Sequence, residues 1–192
     1  MKGALPEIKA QDLKNAQDAW DFLYVILGKY FEMMQKDEKI KEEFSDAQIT
    51  LVAYRHFDDQ VCNGGFLQLV QNGLGGIIYD KTFSQTIKSW GAGETAAIAE
   101  EAGTICAKHK EKLDRLTMLQ QEFSAAASEV YHNDKKAYEK LEARHHEEVS
   151  KFYDDFEDFE PLEDRYYEIM EREVEKVKAY VEKNISEFAV VT

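Results

Sequence analysis

Asn63-Gly-Gly-Phe-Leu-Gln-Leu-Val-Gln-Asn-Gly73 is the stretch of sequence that decides the fold of this chain. Glycine allows a positive φ or a close backbone approach, and asparagine tolerates the same conformations, so both ends are predicted to be turns. Between them lies a short apolar run, residues 66–70. We therefore predict a short helix held between two turns, with the longer helices of the chain arranged around this corner.

The composition predicts a single all-α domain over residues 1–192. Of the 192 residues, 44% are hydrophobic and 12% are aromatic, which is enough to bury one core. The chain has only two prolines, and no run of β-branched residues alternates with polar ones, so a sheet protein is not expected. We predict a bundle of about seven to eight helices.

The first half of the bundle follows from apolar residues spaced three and four apart. Residues 1–11 are expected to be a flexible lead-in, and residues 12–131 to form helices that include the corner at residues 63–73. The first helix is predicted over residues 12–35. Ser45 and Gln48 form a capping box that opens the next helix, which is expected to end near residue 60.

The same spacing predicts the later helices, and glycine and proline mark their ends. One helix is expected to carry the apolar residues from position 79 to position 90, and another to start near residue 94. We predict a break near Thr117 and a second break at residues 132–134. Residues 135–188 are expected to form acidic C-terminal helices, one that ends before Pro161 and a last one over residues 162–188.

The charge predicts the kind of partner. Lys and Arg number 24 against 38 Asp and Glu, which gives a net charge of −14. Direct nucleic-acid binding needs a basic surface, and an anionic membrane surface is disfavoured for the same reason. A basic protein partner is favoured, because opposite fields speed the encounter. The sequence leaves a monomer and a homodimer equally open.

No run of apolar residues is long enough for a membrane span, and the N-terminal residues lack the apolar core of a signal peptide. Cys62 and Cys106 are expected to be free thiols, because their number and spacing suggest no disulfide framework. We therefore expect a cytoplasmic protein.

Acidic residues are concentrated near the C-terminus. Residues 147–187 hold fifteen acidic and six basic residues and so carry 9 of the 14 net negative charges. At about 100° per residue, five acids of the last helix fall on one narrow strip, about 100° from a strip of basic residues. A dense acidic patch, at residues 154–160, precedes the strip in sequence. The predicted partner-binding residues are Asp154, Asp155, Glu157, Asp158, Asp164, Glu168, Glu171, Glu175 and Glu182.

Carboxylates at this spacing lie about 5 to 6 Å apart, of the same order as the spacing of about 3.4 Å per phosphate along one DNA strand. The strip and the patch together predict a line of negative charge similar to a nucleic-acid backbone. An acidic helix face is also an ordinary solubilising surface.

Two Glu-x-x-His pairs have the spacing of metal ligands in helical bundles, Glu129 with His132 and Glu142 with His145. On one continuous helix the pairs would lie about 20 Å apart and would not share a metal ion. His145 also lies on an apolar stripe, where a core histidine is the usual explanation. No metal site or cofactor is predicted.

Two further constellations involve cysteine. Cys106 and His109 lie one helical turn apart, but two ligands do not make a zinc site. The residues His56, Asp59 and Cys62 have the residue types of a nucleophile with its base, although a cysteine beside a glycine corner is more often a buried filler.

Backbone amides at residues 63–65 are able to bind an anion, yet the Lys-Ser/Thr sequence that follows in a phosphate loop is missing. A turn between helices is the favoured interpretation.

Six residues of the corner carry a resemblance to a known family: Asn63, Gly64, Gly65, Phe66, Gln68 and Asn72. This pattern resembles the signature of the bacterial DNA-mimic protein family, a family of small acidic helical proteins long catalogued as a domain of unknown function. The segment Asp164-Arg-Tyr-Tyr167, with Ala179-Tyr180, is similar to the closing helix of that family. Cys62 and Leu69 depart from the pattern, and so does the middle of the chain, residues 104–160.

The resemblance implies an all-α fold and, for some members, binding to DNA-binding proteins through carboxylates placed like phosphates. Together with the clustered acid it predicts a non-enzymatic protein that occupies the basic groove of a DNA-binding protein such as a transcriptional regulator. An immunity or antitoxin-like protein that neutralises a basic toxin is the alternative, since the same acidity would serve it. The corner at residues 63–73 is predicted to have a structural role.

Overall fold

A computed structural model describes residues 4–131 and 133–192, and of residues 153–155 it describes only the backbone. These residues form a predominantly all-α single domain, as predicted. The described elements, in chain order, are β1 (Glu7–Ile8), α1 (Ala10–Asn15), α2 (Ala19–Lys36), a 3₁₀-helix (Glu38–Glu43), α3 (Asp46–Gln71), α4 (Gly76–Tyr79), α5 (Lys81–Ser89), α6 (Gly93–Lys108), α7 (Lys110–Val130), α8 (Lys135–Tyr153), a 3₁₀-helix (Asp154–Phe159), α9 (Glu160–Lys183), a 3₁₀-helix (Ile185–Glu187) and β2 (Val190–Val191).

Two predicted helices are each divided by an aspartate. Asp18 separates α1 from α2 and accepts a hydrogen bond from the backbone N–H of Asp21 at 2.8 Å. Asp80 separates α4 from α5 and accepts one from the N–H of Thr82 at 2.8 Å. An aspartate in this position satisfies an N–H that has no partner within its helix, so each aspartate starts a new helix. The structure therefore has more and shorter helices here than predicted.

The predicted break near Thr117 is wrong. Helix α7 runs through this position, and the Thr117 hydroxyl donates to the carbonyl of Leu113 at 3.0 Å, one turn earlier in the same helix. The break lies instead at His109, which has φ −107° and ψ 21° and separates α6 from α7. The predicted turn at residues 132–134 lies in the α7–α8 connection, where residue 132 is outside the described residues.

The expected flexible lead-in at residues 1–11 is corrected for residues 4–11. Strand β1 pairs in parallel with β2, and the side chain of Ile8 is buried. The N–H of Ala4 donates to the carbonyl of Glu43 at 3.1 Å, and its own carbonyl accepts from the amide of Gln48 at 2.8 Å. The two ends of the described chain are thus joined by backbone hydrogen bonds, a contact that no local sequence signal predicts.

The last helix has different ends from those predicted. Helix α9 starts at Glu160, with Pro161 inside its first turn, where proline is tolerated because its missing N–H would have had no helical partner. It ends at Lys183, and Phe188 lies beyond it as a fully buried core residue. The Tyr30 hydroxyl donates to the Phe188 carbonyl at 2.7 Å, which ties this segment to α2.

Helix α3 lies at the centre of the core. Its Phe57 ring contacts the rings of Phe66, Phe83 and Tyr166 at centroid distances of 5.8, 5.6 and 5.2 Å. Helix α9 packs against α2, α3 and α6, whereas α8 packs mainly on α7. This packing buries one side of α9 and leaves its opposite side at the surface. In the described ranges, no helix is long and apolar enough to cross a membrane.

Candidate functional site

One face of α9 carries a row of exposed carboxylates, which we call the acidic strip. All of its side chains are exposed, while the other side of the helix packs into the core. At 1.5 Å per residue the strip is about 27 Å long, about three quarters of the length of α9. The acidic strip consists of Asp164, Glu168, Glu171, Glu175 and Glu182.

Most carboxylates of the acidic strip form no ion pair within the described residues. Glu182 pairs with Lys178 one turn earlier at 2.7 Å. In residues 4–131 and 133–192, no Lys or Arg forms an ion pair with Asp164, Glu168 or Glu171. The same holds for Glu175 within the described chain. Four of the five carboxylates are therefore available to a cation from outside the chain.

The basic residues of α9, by contrast, are mostly used within the protein. Arg165 forms two hydrogen bonds with Glu101, at 2.6 and 3.0 Å, and Arg172 bonds Glu94 at 2.6 Å. Both glutamates lie on α6, and the arginine hydrogen bonds lower their pKa values. The acidic and basic strips predicted for this helix thus differ in availability, because glutamates of α6 neutralise much of the basic strip.

The acidic patch before α9 is less uniform than predicted. Glu157 is exposed, whereas Asp158 pairs with Lys108 at 2.6 Å and contacts the ring nitrogen of His109 at 3.4 Å. The hydrogen bond from Lys108 lowers the pKa of Asp158. The side chains of residues 154 and 155, Asp154 and Asp155, lie outside those that the structure describes. The negative charge of Asp158 is therefore balanced within the protein.

Sequence reasoning missed Glu173, which is fully buried. One of its carboxylate oxygens accepts the backbone N–H groups of Glu94 and Thr95, both at 3.0 Å, and the other pairs with Lys176. Glu173 thereby caps α6, whose own N-cap residue has no side-chain hydrogen bond. A signal existed in the sequence: Glu173 lies four residues before Val177, on the apolar stripe, where a charge needs a partner.

The corner at residues 63–73 is a kink inside α3. Gly64 has φ −166°, and Gly65 has φ +74°, a left-handed conformation that favours glycine. Directly after the kink, the N–H of Phe66 donates to Glu163 Oε1 of α9 at 2.9 Å. Burial raises the pKa of Glu163. This hydrogen bond connects the backbone of the corner directly to α9.

Three other motif side chains secure the two halves of the kink. The Asn63 amide donates to the carbonyl of Asp59 at 2.7 Å, on the N-terminal half. From the C-terminal half, Gln68 and Asn72 donate to the same oxygen of Gln60, at 3.2 and 2.6 Å. The two bonds to Gln60 join positions on both sides of the glycines, whereas the Asn63 bond lies within the N-terminal half.

The histidines considered as metal ligands have other contacts. His145 stacks on Phe123 at a centroid distance of 4.3 Å and bonds Gln120 at 2.9 Å, and burial lowers its pKa. His109 packs edge-on against Phe156. His132 lies outside the described residues. Within the described ranges, no group of three His, Cys, Asp or Glu side chains is placed to hold a metal ion.

The constellation around Cys62 is not assembled as a nucleophile with a base. The Cys62 sulfur contacts Asp58 Oδ1 at 3.9 Å and the Met170 sulfur at 3.6 Å, while His56 packs on the Phe31 ring. Burial and the neighbouring Asp58 carboxylate raise the pKa of the Cys62 thiol to about 11. A thiol of this pKa carries very little thiolate at neutral pH, which is the opposite of nucleophile activation.

Comparison with known proteins agrees with the acidic helical architecture. The sequence profile of the family described as "DMP19-like protein" matches residues 42–184, which include the corner and the whole of α9. The chain is also similar to a protein named "DNA mimic protein DMP19" from Neisseria meningitidis serogroup B, strain ATCC BAA-335 / MC58. The two are 22% identical over 174 residues, which cover 90% of each chain. The chain belongs to the DMP19-like protein family.

Proposed function

We propose that this protein binds a basic DNA-binding protein, such as a transcriptional regulator, and that the acidic strip of α9 takes the place of a DNA strand. In this proposal the protein is not an enzyme, and it acts in the cytoplasm, where its partner binds DNA. The name of the Neisseria relative, a DNA mimic protein, supports the charge-mimicking role.

The observation that carries the proposal is the unequal pairing of the two charged strips. The basic residues Arg165 and Arg172 form ion pairs with glutamates of α6, whereas Glu168, Glu171 and Glu175 form no ion pair with a cation among the described residues. An ordinary solubilising face would mix both signs, and pairing across it would be mutual. Here the surface that α9 presents to a partner is negative, as a nucleic-acid backbone is.

The spacing of the strip also fits. From Asp164 to Glu175 the acids follow steps of four, three and four residues, so they extend over about 16 Å of helix. One strand of DNA presents about five phosphates over the same length. A protein groove lined by Lys and Arg for a DNA strand would thus meet four carboxylates at a similar linear density.

The test is affinity capture from a bacterial lysate. The wild-type protein is expected to capture a basic protein that duplex DNA displaces and that salt releases near or above physiological ionic strength. A variant without the four unpaired charges should capture at least tenfold less. Its substitutions are Asp164→Asn, Glu168→Gln, Glu171→Gln and Glu175→Gln.

A matched control changes the net charge by the same amount on other elements. Its substitutions are Glu42→Gln, Glu111→Gln, Glu129→Gln and Glu142→Gln, all at exposed positions. This control is expected to capture the partner as well as the wild type does. Equal loss in both variants, or capture that DNA does not displace, would contradict the proposal. Capture of a basic toxin, in place of a transcriptional regulator, would favour the immunity-protein alternative.

A further inference from the structure

A cavity of about 390 Å³ opens beside the acidic strip, between α9, the start of α2 and the middle of α3. This volume is at the small end of ligand pockets, which range from about 300 to 1,000 Å³, and leaves room for one long side chain. The wall includes the apolar surfaces of Trp20, Met170 and Val174. The cavity therefore combines a hydrophobic interior with an acidic surface next to it.

Three exposed carboxylates surround the opening of this cavity, those of Asp18, Glu171 and Glu175. Within the chain as described, none of the three forms an ion pair with Lys or Arg. Glu171 and Glu175 are four residues apart on α9, so their side chains are neighbours on one face. The opening is therefore negative, and no ion pair within the described residues neutralises it, although Asp18 also caps α2.

Two residues of the cavity wall already bind one guanidinium group, that of Arg55. The Arg55 guanidinium carbon lies 5.0 Å from the centre of the Trp20 ring, and its NH1 donates to Asp58 Oδ2 at 3.0 Å. Both Trp20 and Asp58 line the cavity. An aromatic face with a carboxylate beside it is a favourable environment for a planar guanidinium, which stacks and forms directed hydrogen bonds. Asp58 is occupied by Arg55, whereas the carboxylates at the opening are not.

We propose that this cavity receives the side chain of one arginine of the basic partner. The guanidinium would lie between Glu171 and Glu175 and form charge-assisted hydrogen bonds with them. The methylene stem would pack on Met170 and Val174, because long cationic side chains bury their stems against apolar surface. This inference rests on the proposed function and adds to it one anchoring contact at a defined place.

The probe for the test is the peptide N-acetyl-Gly-Arg-Gly-amide, added to the full-length chain. The readout is the indole N–H signal of Trp20 in a ¹H–¹⁵N spectrum. Trp90, the other tryptophan, is buried and stacked on Tyr180, so its signal is an internal reference. We expect a saturable shift of the Trp20 signal and no shift of the Trp90 signal. The citrulline peptide, of equal shape but uncharged, should give no shift, and the lysine peptide should bind at least fivefold more weakly.

Two variants separate the cavity from general attraction by a negative protein. The double variant Glu171→Gln, Glu175→Gln should bind the arginine peptide at least tenfold more weakly. The control Glu42→Gln, Glu142→Gln has the same net charge and should bind as the wild type does. All four positions are exposed, so both variants are expected to fold, which circular dichroism checks.

The inference is overturned if the Trp20 signal shows no saturable shift, if the citrulline or lysine peptide binds equally well, or if the double variant is unaffected. It fails separately from the proposed function. DNA-displaceable capture of a basic protein without peptide binding would refute the arginine site alone. Peptide binding in the cavity, with no DNA-binding protein captured, would support the site and refute the proposed function.

Discussion

Glu163 of α9 accepts a hydrogen bond from the backbone N–H of Phe66 in α3 at 2.9 Å, directly after the glycine kink. This contact joins the most recognisable motif of the sequence to the helix that carries the acidic strip. Because Gly65 has no Cβ, the carboxylate comes close to the backbone; a Cβ there would lie 2.0 Å from Glu163 Oε1. The motif therefore positions the candidate site without being part of it.

Replacing Glu163 tests this contact. Glu163→Ala leaves the Phe66 N–H without an acceptor and should lower the free energy of unfolding by about 1 to 2 kcal/mol. Glu163→Gln keeps an acceptor oxygen and should cost less. Urea denaturation measures both, and an alanine variant as stable as the wild type would show that the bond contributes nothing.

The stability difference between wild type and Glu163→Gln should depend on pH. Burial raises the pKa of Glu163, so the folded state holds this proton more tightly than the unfolded state does. The contribution of Glu163 is thus largest below about pH 4.3, the ordinary pKa of glutamate, and is lost as the pH rises through the raised value. Denaturation at pH 4 and pH 7 should show wild type losing stability relative to the glutamine variant. A constant difference would contradict the raised pKa.

Substitutions of three glycines should have graded effects. Gly65→Ala places a Cβ at φ +74° and against Glu163, and should cost about 2 kcal/mol or more. Gly64→Ala should cost less, because φ is extended there and the Cβ would meet the end of the flexible Gln68 side chain. Gly28→Ala is the control: it lies in α2 with open space around it and should stabilise by about 0.5 to 1 kcal/mol. Thermal denaturation would reveal any other order.

Removing Glu173 should be among the most damaging single changes on α9. Glu173→Ala deletes the acceptor for two backbone N–H groups of α6 and leaves a buried cavity, so we expect a loss of about 3 kcal/mol or more. Glu171→Ala, two residues earlier but exposed, is the control and should change stability by less than about 0.5 kcal/mol. Similar midpoints for both variants in urea would refute the capping role.

Cys62 should react slowly with iodoacetamide although it is exposed. With its pKa raised to about 11, its thiolate fraction at pH 8 is about 0.1%, against about a quarter for an ordinary thiol, so alkylation should be about 250-fold slower than for free cysteine. The rate should rise about tenfold per pH unit up to pH 10. A plateau near pH 9 would contradict the raised pKa. Cys62→Ser identifies the labelled site, since Cys106 is buried.

Local signals in the sequence predicted the helical class and several helix ends correctly. The Ser45 capping box is present, with Ser45 Oγ accepting from the N–H of Gln48 at 3.3 Å. The exposed side of α9 also follows from its apolar spacing, because a helix period fixes which residues share a face. The errors at Asp18, Asp80 and Thr117 arose where a polar residue has two uses, as a cap or as a helix residue, and packing chooses between them.

The sequence by itself determined the all-α fold, the glycine kink and the arrangement of acids along α9, since each depends on backbone preferences or on helix periodicity. Only the tertiary structure decided which of those acids are available. Glu173 and Glu175 differ by two positions in the chain, yet one is buried as a cap and the other is exposed without an ion pair among the described residues. The reason is that charge is neutralised by neighbours in space, and the glutamates of α6 that neutralise Arg165 and Arg172 are more than sixty residues away in sequence.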